Sequence, residues 1–70
     1  LDGGNDGLDL IKKVIYKSKN ILKVKGILAL EIGNGQIKKV SKILIDNNYR
    51  IIGLTKDYKN NVRCVFARYC

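Results

Sequence analysis

Two periods of hydrophobic residues alternate along the chain. Leu8, Leu10, Ile11, Val14, Ile15, Ile21 and Leu22 gather on one broad face at a helical repeat, opposite Lys12, Lys13, Lys17, Lys19 and Asn20. This pattern predicts an amphipathic helix of about four turns between Leu8 and Lys23. Ahead of it, Leu1 to Gly7 holds three glycines, two aspartates and an asparagine, the composition of a loop. Asp6 suits the N-cap position, and Asp9 adds negative charge beside the positive end of the helix dipole.

After a short connection, Lys23 to Gly26, the period changes. Ile27-Leu28-Ala29-Leu30-Glu31-Ile32 is apolar at consecutive positions apart from Glu31, the pattern of a strand covered on both faces. Gly33-Asn34-Gly35 reads as a turn, and Ile37, Val40, Ile43 and Leu44 set a second helical stripe between Gln36 and Asn47. A second strand is predicted over Tyr49 to Thr55, a polar turn over Lys56 to Asn61, and a third strand over Val62 to Arg68. The fold class is therefore α/β, with two helices and a three-stranded mixed sheet. A right-handed crossover through the second helix makes the first two strands parallel. The third is antiparallel to both and sits either at the edge or between them.

Seventy residues allow one small domain, 1–70, which buries only roughly 60% of its unfolded surface, so marginal stability is expected. With no methionine and Leu1 in first place, the chain is expected to be a piece of something larger. The net charge of +8 is uneven: Asp2, Asp6 and Asp9 lie within the first nine residues, and all fourteen Lys and Arg come later. Such a basic body attracts nucleic acid or acidic surfaces, or simply solvates a helix face. No aromatic residue is expected among the lysines of the first helix for base stacking, which favours the solvated face. Cys64 and Cys70 lie six residues apart on one extended strand, beyond disulfide reach, so both are expected as free thiols, with Cys64 buried. The chain has no histidine and no second cysteine pair, and no metal site is expected. No apolar run approaches about 18 residues and nothing resembles a signal peptide, so no membrane association is expected and a cytoplasmic location is the default.

Glu31-Ile32-Gly33-Asn34-Gly35 stands between a strand and a helix, the setting in which a glycine-rich turn lets a nucleotide approach the backbone. The spacing suggests the first loop of an S-adenosylmethionine site, with Asp57 as an acidic residue after the next strand. Against this, Ile37 stands where the third glycine belongs, and one crossover-linked pair of strands is half of such a site.

A second reading uses more of the chain. It rests on Leu1-Asp2-Gly3-Gly4-Asn5-Asp6-Gly7-Leu8-Asp9-Leu10-Ile11, on Leu28-Ala29-Leu30-Glu31-Ile32-Gly33 with Gln36 and Val40, and on Lys56-Asp57 leading to Val62-Arg63-Cys64-Val65-Phe66-Ala67-Arg68. In this order and spacing, these blocks resemble the C-terminal part of the HemK family, methyltransferases that modify the side-chain amide of a glutamine in peptide-chain release factors. The resemblance runs from end to end. It implies the C-terminal portion of a Rossmann-like class I methyltransferase domain, containing its last three strands and last two helices. In that fold the final antiparallel strand inserts between the previous two, giving the order first-third-second. Glu31 then belongs to a late strand and not to the cofactor loop.

The resemblance further implies S-adenosylmethionine as cofactor, bound by an upstream part, and a release factor as partner. The family's glycine-rich cofactor loop, its ribose-holding acidic residue and its Asn-Pro-Pro-Tyr segment all lie upstream of Leu1, and this chain contains no proline. Val24 and Lys25 stand where relatives tend to have Pro and Gly. The chain is therefore expected to be inactive alone, with no catalytic or cofactor-binding residue of its own. Gly4, Asn5, Asp6 and Glu31 are expected at the rim of the substrate cleft, because loops at the carboxyl ends of strands carry the sites of open α/β sheets. The same residues read equally as a glycine turn with an aspartate helix cap and, for Glu31, as a cap of the next helix. Direct nucleic-acid binding is not required by this reading. The rival readings are a small basic nucleic-acid-binding module and an interaction domain that shares only the fold. Because an upstream strand and helices are missing, self-association is expected through the Ile27 to Ile32 edge or the uncovered sheet face.

Overall fold

The computed structural model describes residues 7–22 and 25–70. Five elements follow one another: α1 (Leu8–Ser18), β1 (Ile27–Glu31), α2 (Ile37–Asp46), β2 (Tyr49–Lys56) and β3 (Val62–Tyr69). The strands form one sheet in the order β1-β3-β2, the order that the family resemblance implies. Both pairings are antiparallel, so β1 and β2 run the same way without touching. The expected mixed sheet is thereby corrected to an antiparallel one, because β3 separates the two parallel strands.

α1 starts at Leu8, with Gly7 at the N-cap in the left-handed region (φ 80°), where glycine carries no steric cost. The cap thus lies one residue later than expected, and Asp6 falls outside the described residues. The helix stops at Ser18, short of the predicted four turns. Ser18 Oγ donates to the Ile15 carbonyl (2.6 Å) and is also bonded to the Tyr49 hydroxyl of β2. With its own proton already committed to Ile15, Ser18 accepts that of Tyr49, and this buried pair pins the end of α1 to the sheet. Ile21, counted on the apolar face, is 79% exposed; Leu10 and Val14 are exposed as well.

α2 matches its expected span. Val40 and Leu44 are fully buried, and Ile37 and Ile43 pack beside them. Its end is closed by Asn47, whose Nδ2 donates to the Ile43 carbonyl (2.8 Å), and by Asn48 at φ 68°. The core joins Leu8 and Ile15 of α1 and Val40 and Leu44 of α2 to Leu30, Ile32, Tyr49, Val65 and Ala67 of the sheet. These sheet residues fall on one face by strand alternation. Each fully buried aliphatic side chain contributes about 1.5–3 kcal/mol.

Both helices therefore cover a single face. The shortest dimension of the molecule, 17 Å, is that of a sheet with one helical layer. The opposite face carries Ile27, Ala29 and Glu31 of β1, Cys64, Phe66 and Arg68 of β3, and Arg50 of β2. Ile27 is half exposed and Ala29 and Glu31 are exposed. The expectation of cover on both sides of β1 is not met among the described residues. Cys64 lies on this open face, and is half-buried instead of buried; Cys70 is exposed, and both thiols are free.

Candidate functional site

The carboxyl end of β1 is where sequence reasoning places chemistry, and the structure shows how it is built. Strand alternation turns Glu31 away from the helices, directly opposite Cys64 on β3. Glu31 is exposed, and it does not hold the turn that follows. That task falls to Gln36, whose Oε1 accepts the Gly33 N–H (2.8 Å) while the Gly33 carbonyl accepts the Gln36 N–H (3.3 Å). Gly35 takes φ 76°, which brings the chain round into α2. Gly4, Asn5 and Asp6 lie outside the described residues, so Glu31 is the one expected rim residue with a described position.

At the same end of the sheet, the loop between β2 and β3 is organised by Asp57. Its Oδ1 accepts the Lys59 and Asn61 N–H groups and its Oδ2 accepts Arg63 Nε, each at 2.9 Å; Arg63 Nη2 also stands 2.9 Å from Oδ2. The Asn61 N–H, then the Arg63 side chain and the Lys59 N–H, hold the carboxyl below its ordinary value, against the opposing effect of desolvation. Asp57 thus anchors the loop between β2 and β3. Its arginine partner escaped sequence reasoning. The available signal was an aspartate opening a polar turn, with an arginine at the start of the returning strand.

A third cluster lies on α1 and at its C-terminal end. Lys12, Lys13 and Lys17 surround Tyr16, which is 69% exposed, and Lys19 Nζ stands 5.3 Å from its ring centroid. An aromatic residue does interleave with the lysines of α1, contrary to the sequence reading.

The fit of S-adenosylmethionine to these residues can be tested directly. A glycine-rich cofactor turn offers free backbone N–H groups to an approaching ligand. Here the Gly33 N–H is occupied by Gln36, and a Cβ at Gly33 would lie 3.4 Å from Gln36 Oε1, so side chain already fills the near side of the turn. The turn therefore has no free N–H at Gly33 to offer a cofactor. Among the described residues there is also no group of His, Cys, Asp and Glu able to hold a metal ion, and no helix long and apolar enough to cross a membrane.

No family model matches the chain, and no solved structure does. Curated proteins do. The chain is 46% identical over 63 residues to a release factor glutamine methyltransferase of Fusobacterium nucleatum, a match that spans 90% of this chain and 18% of that protein. Its counterpart in Clostridium acetobutylicum is 39% identical over 67 residues (96% of this chain, 24% of the relative). That of Gloeobacter violaceus is 39% identical over 66 residues (93% and 23%). The chain spans about a fifth to a quarter of the length of these relatives. Sustained identity across nearly all of its length, with the same name on each relative, shows that this chain belongs to the HemK family of release factor glutamine methyltransferases.

Proposed function

We propose that this chain is part of an S-adenosylmethionine-dependent methyltransferase that methylates a glutamine side-chain amide of peptide-chain release factors, and that the seventy residues are inactive alone. The observation that carries the reading is the 46% identity to a relative bearing that name, over 90% of the chain. The strand order β1-β3-β2, with β3 antiparallel in the middle, is compatible with the final strands of a Rossmann-like class I domain.

Moving a methyl group to an amide nitrogen requires a poorly nucleophilic nitrogen to be positioned and polarised. The described residues supply no converging pair of groups for that work. Their contribution is architectural: a helix-backed sheet that presents the end of β1 and the Asp57 loop at one edge. Glu31, with Gly4, Asn5 and Asp6, then lines the rim of the substrate cleft in the cytoplasmic parent enzyme, whose other parts bind the cofactor.

Calorimetry of the purified chain with S-adenosylmethionine, paired with mass spectrometry of a release factor incubated with both, tests the reading. Neither binding at micromolar concentration nor methylation is expected. Micromolar binding would reassign the Glu31 to Gly35 turn as a cofactor site and overturn the inactivity of the segment.

A further inference from the structure

Tyr16 stands in the middle of the lysines on the outer side of α1. On the helix surface Lys12 and Lys13 lie one turn before it and Lys19 one turn after it, with Lys17 adjacent. The ring is 69% exposed, and Lys12, Lys13 and Lys17 are exposed with it. The acidic side chains among the described residues do not neutralise this face. Asp46 is taken by Lys42 (3.1 Å) and Asp57 by Arg63 (2.9 Å). Glu31 lies on the open face of the sheet, and Asp9, in the first turn of α1, forms no ion pair among the described residues. The opposite side of the helix, at Ile15, is already fully buried against the sheet. Burying unpaired ammonium groups beneath further protein is costly, so a face of this composition stays in solvent whatever precedes Leu8 in a longer chain.

We propose that the outer face of α1 binds single-stranded nucleic acid, with the lysines on the phosphates and Tyr16 stacked on an unpaired base. Cations in a row, interrupted by an exposed ring, match a strand in which phosphates alternate with bases. A duplex would satisfy the lysines but keeps its bases stacked on one another, and an acidic peptide would leave the ring unused. The ring is also steadied in place. Lys19 Nζ stands 5.3 Å from its centroid and donates to Asn47 Oδ1 (3.3 Å), which ties that lysine to the end of α2. Asn47 comes just before β2, and β1 and β2 run the same way, so this end of α1 lies toward the end of the sheet opposite Glu31. The surface is thus separate from the candidate cleft, and the proposal goes beyond the methyl-transfer reading without resting on it.

Fluorescence anisotropy of a labelled uridine oligomer of about twelve nucleotides, titrated with the full-length protein that carries this chain between about 50 and 200 mM salt, tests the proposal. Binding that weakens with salt is expected. Tyr16→Ala leaves the charge unchanged and is expected to weaken binding about fivefold or more, whereas Tyr16→Phe stays within about twofold. Lys13→Gln is expected to flatten the logarithmic salt slope by about 0.7, and Lys56→Gln, which removes the same charge from β2, to leave it as it was. Should Tyr16→Ala fail to fold by circular dichroism, Tyr16→Leu, which keeps apolar bulk without a π-face, is read in its place. Absence of binding at about 50 mM salt overturns the proposal. So does an undiminished affinity in the Ala or Leu variant, or an equal effect of Lys13→Gln and Lys56→Gln, since either means attraction by net charge alone. A duplex of the same length that binds as tightly as the single strand removes the stacked base. Displacement of the oligomer by polyglutamate at equal charge concentration makes the partner an acidic protein segment, and overturns it too.

Discussion

Lys25 departs from the conformational preference of its residue type. It sits at φ 72°, in the left-handed region, while its N–H donates to the Tyr69 carbonyl at 2.7 Å. That bond ties the start of β1 to the end of β3 and obliges the chain to turn there, and a side chain with a Cβ bears the steric cost. The family resemblance puts glycine at this position, which accords with the geometry. Lys25→Gly is expected to stabilise the fold by about 0.5–1 kcal/mol, the relief of strain exceeding the added freedom of the unfolded chain. A rise in the urea midpoint at unchanged slope would show it; a fall would mean that the lysine side chain supplies something the backbone argument omits. Asn48 and Asn60 also have positive φ, at 68° and 69°, but asparagine tolerates the region well. Asp57 gives a second expectation, in pH. Its folded-state pKa lies below the ordinary 3.8, so its contribution to stability is complete well above that value and fades as pH falls through the folded value. Asp57→Asn should therefore be less stable than the parent near neutral pH, with the difference narrowing below pH 3.8. A gap of constant size down to the acid transition would remove the carboxylate from the explanation.

At the scale of elements, α2 holds the sheet more firmly than its surface suggests. Val40 and Leu44 are both fully buried, and Leu44 lies one turn beyond Val40 on the same stripe. By contrast Ile45, next in sequence, is 62% exposed. Leu44→Ala is expected to cost about 2–5 kcal/mol, against the roughly 3–5 kcal/mol that a core of this size provides. That variant should be largely unfolded at 25 °C by circular dichroism, whereas Ile45→Ala should stay within about 0.5 kcal/mol of the parent. If both change stability equally, the burial assigned to the stripe is wrong. The Lys42 to Asp46 ion pair on the same helix, at 3.1 Å and well exposed, adds less than about 1 kcal/mol and decides nothing. α1 is held differently. Its apolar face is incompletely used, and the Ser18 to Tyr49 hydrogen bond, backed by the tilted Tyr49 and Tyr69 rings 5.2 Å apart, joins its end to the sheet. A serine in an apolar helical pattern gave no hint of that partner, because Tyr49 lies thirty-one residues away.

For the molecule as a whole, the amino-acid sequence determined what is local. The periods of Ile37, Val40, Ile43 and Leu44, the change to consecutive apolar residues at Ile27, and the polar turns around Gly33 and Asp57 place β1, α2, β2 and β3 close to their observed bounds, whereas α1 ends at Ser18, short of its predicted span. Local propensity and side-chain period act over a few residues, and those residues are adjacent in the chain. The ordered blocks that resemble the HemK family also came from sequence, and the matches to relatives agree with them. The physical reading alone left the place of β3 open, since hairpin formation requires only that it pair with β2. Tertiary structure decided that β3 also takes β1, through pairs such as Leu30 with Val65, and that, among the described residues, helices cover one face alone. The same apolar run in β1 predicted cover on both sides, because a continuous hydrophobic strand records that its faces avoid water and not what covers them. Residue type likewise made Glu31 a candidate, but the pleat and the register opposite Cys64 set its direction. Such outcomes depend on contacts between residues thirty or more positions apart, which no local pattern encodes.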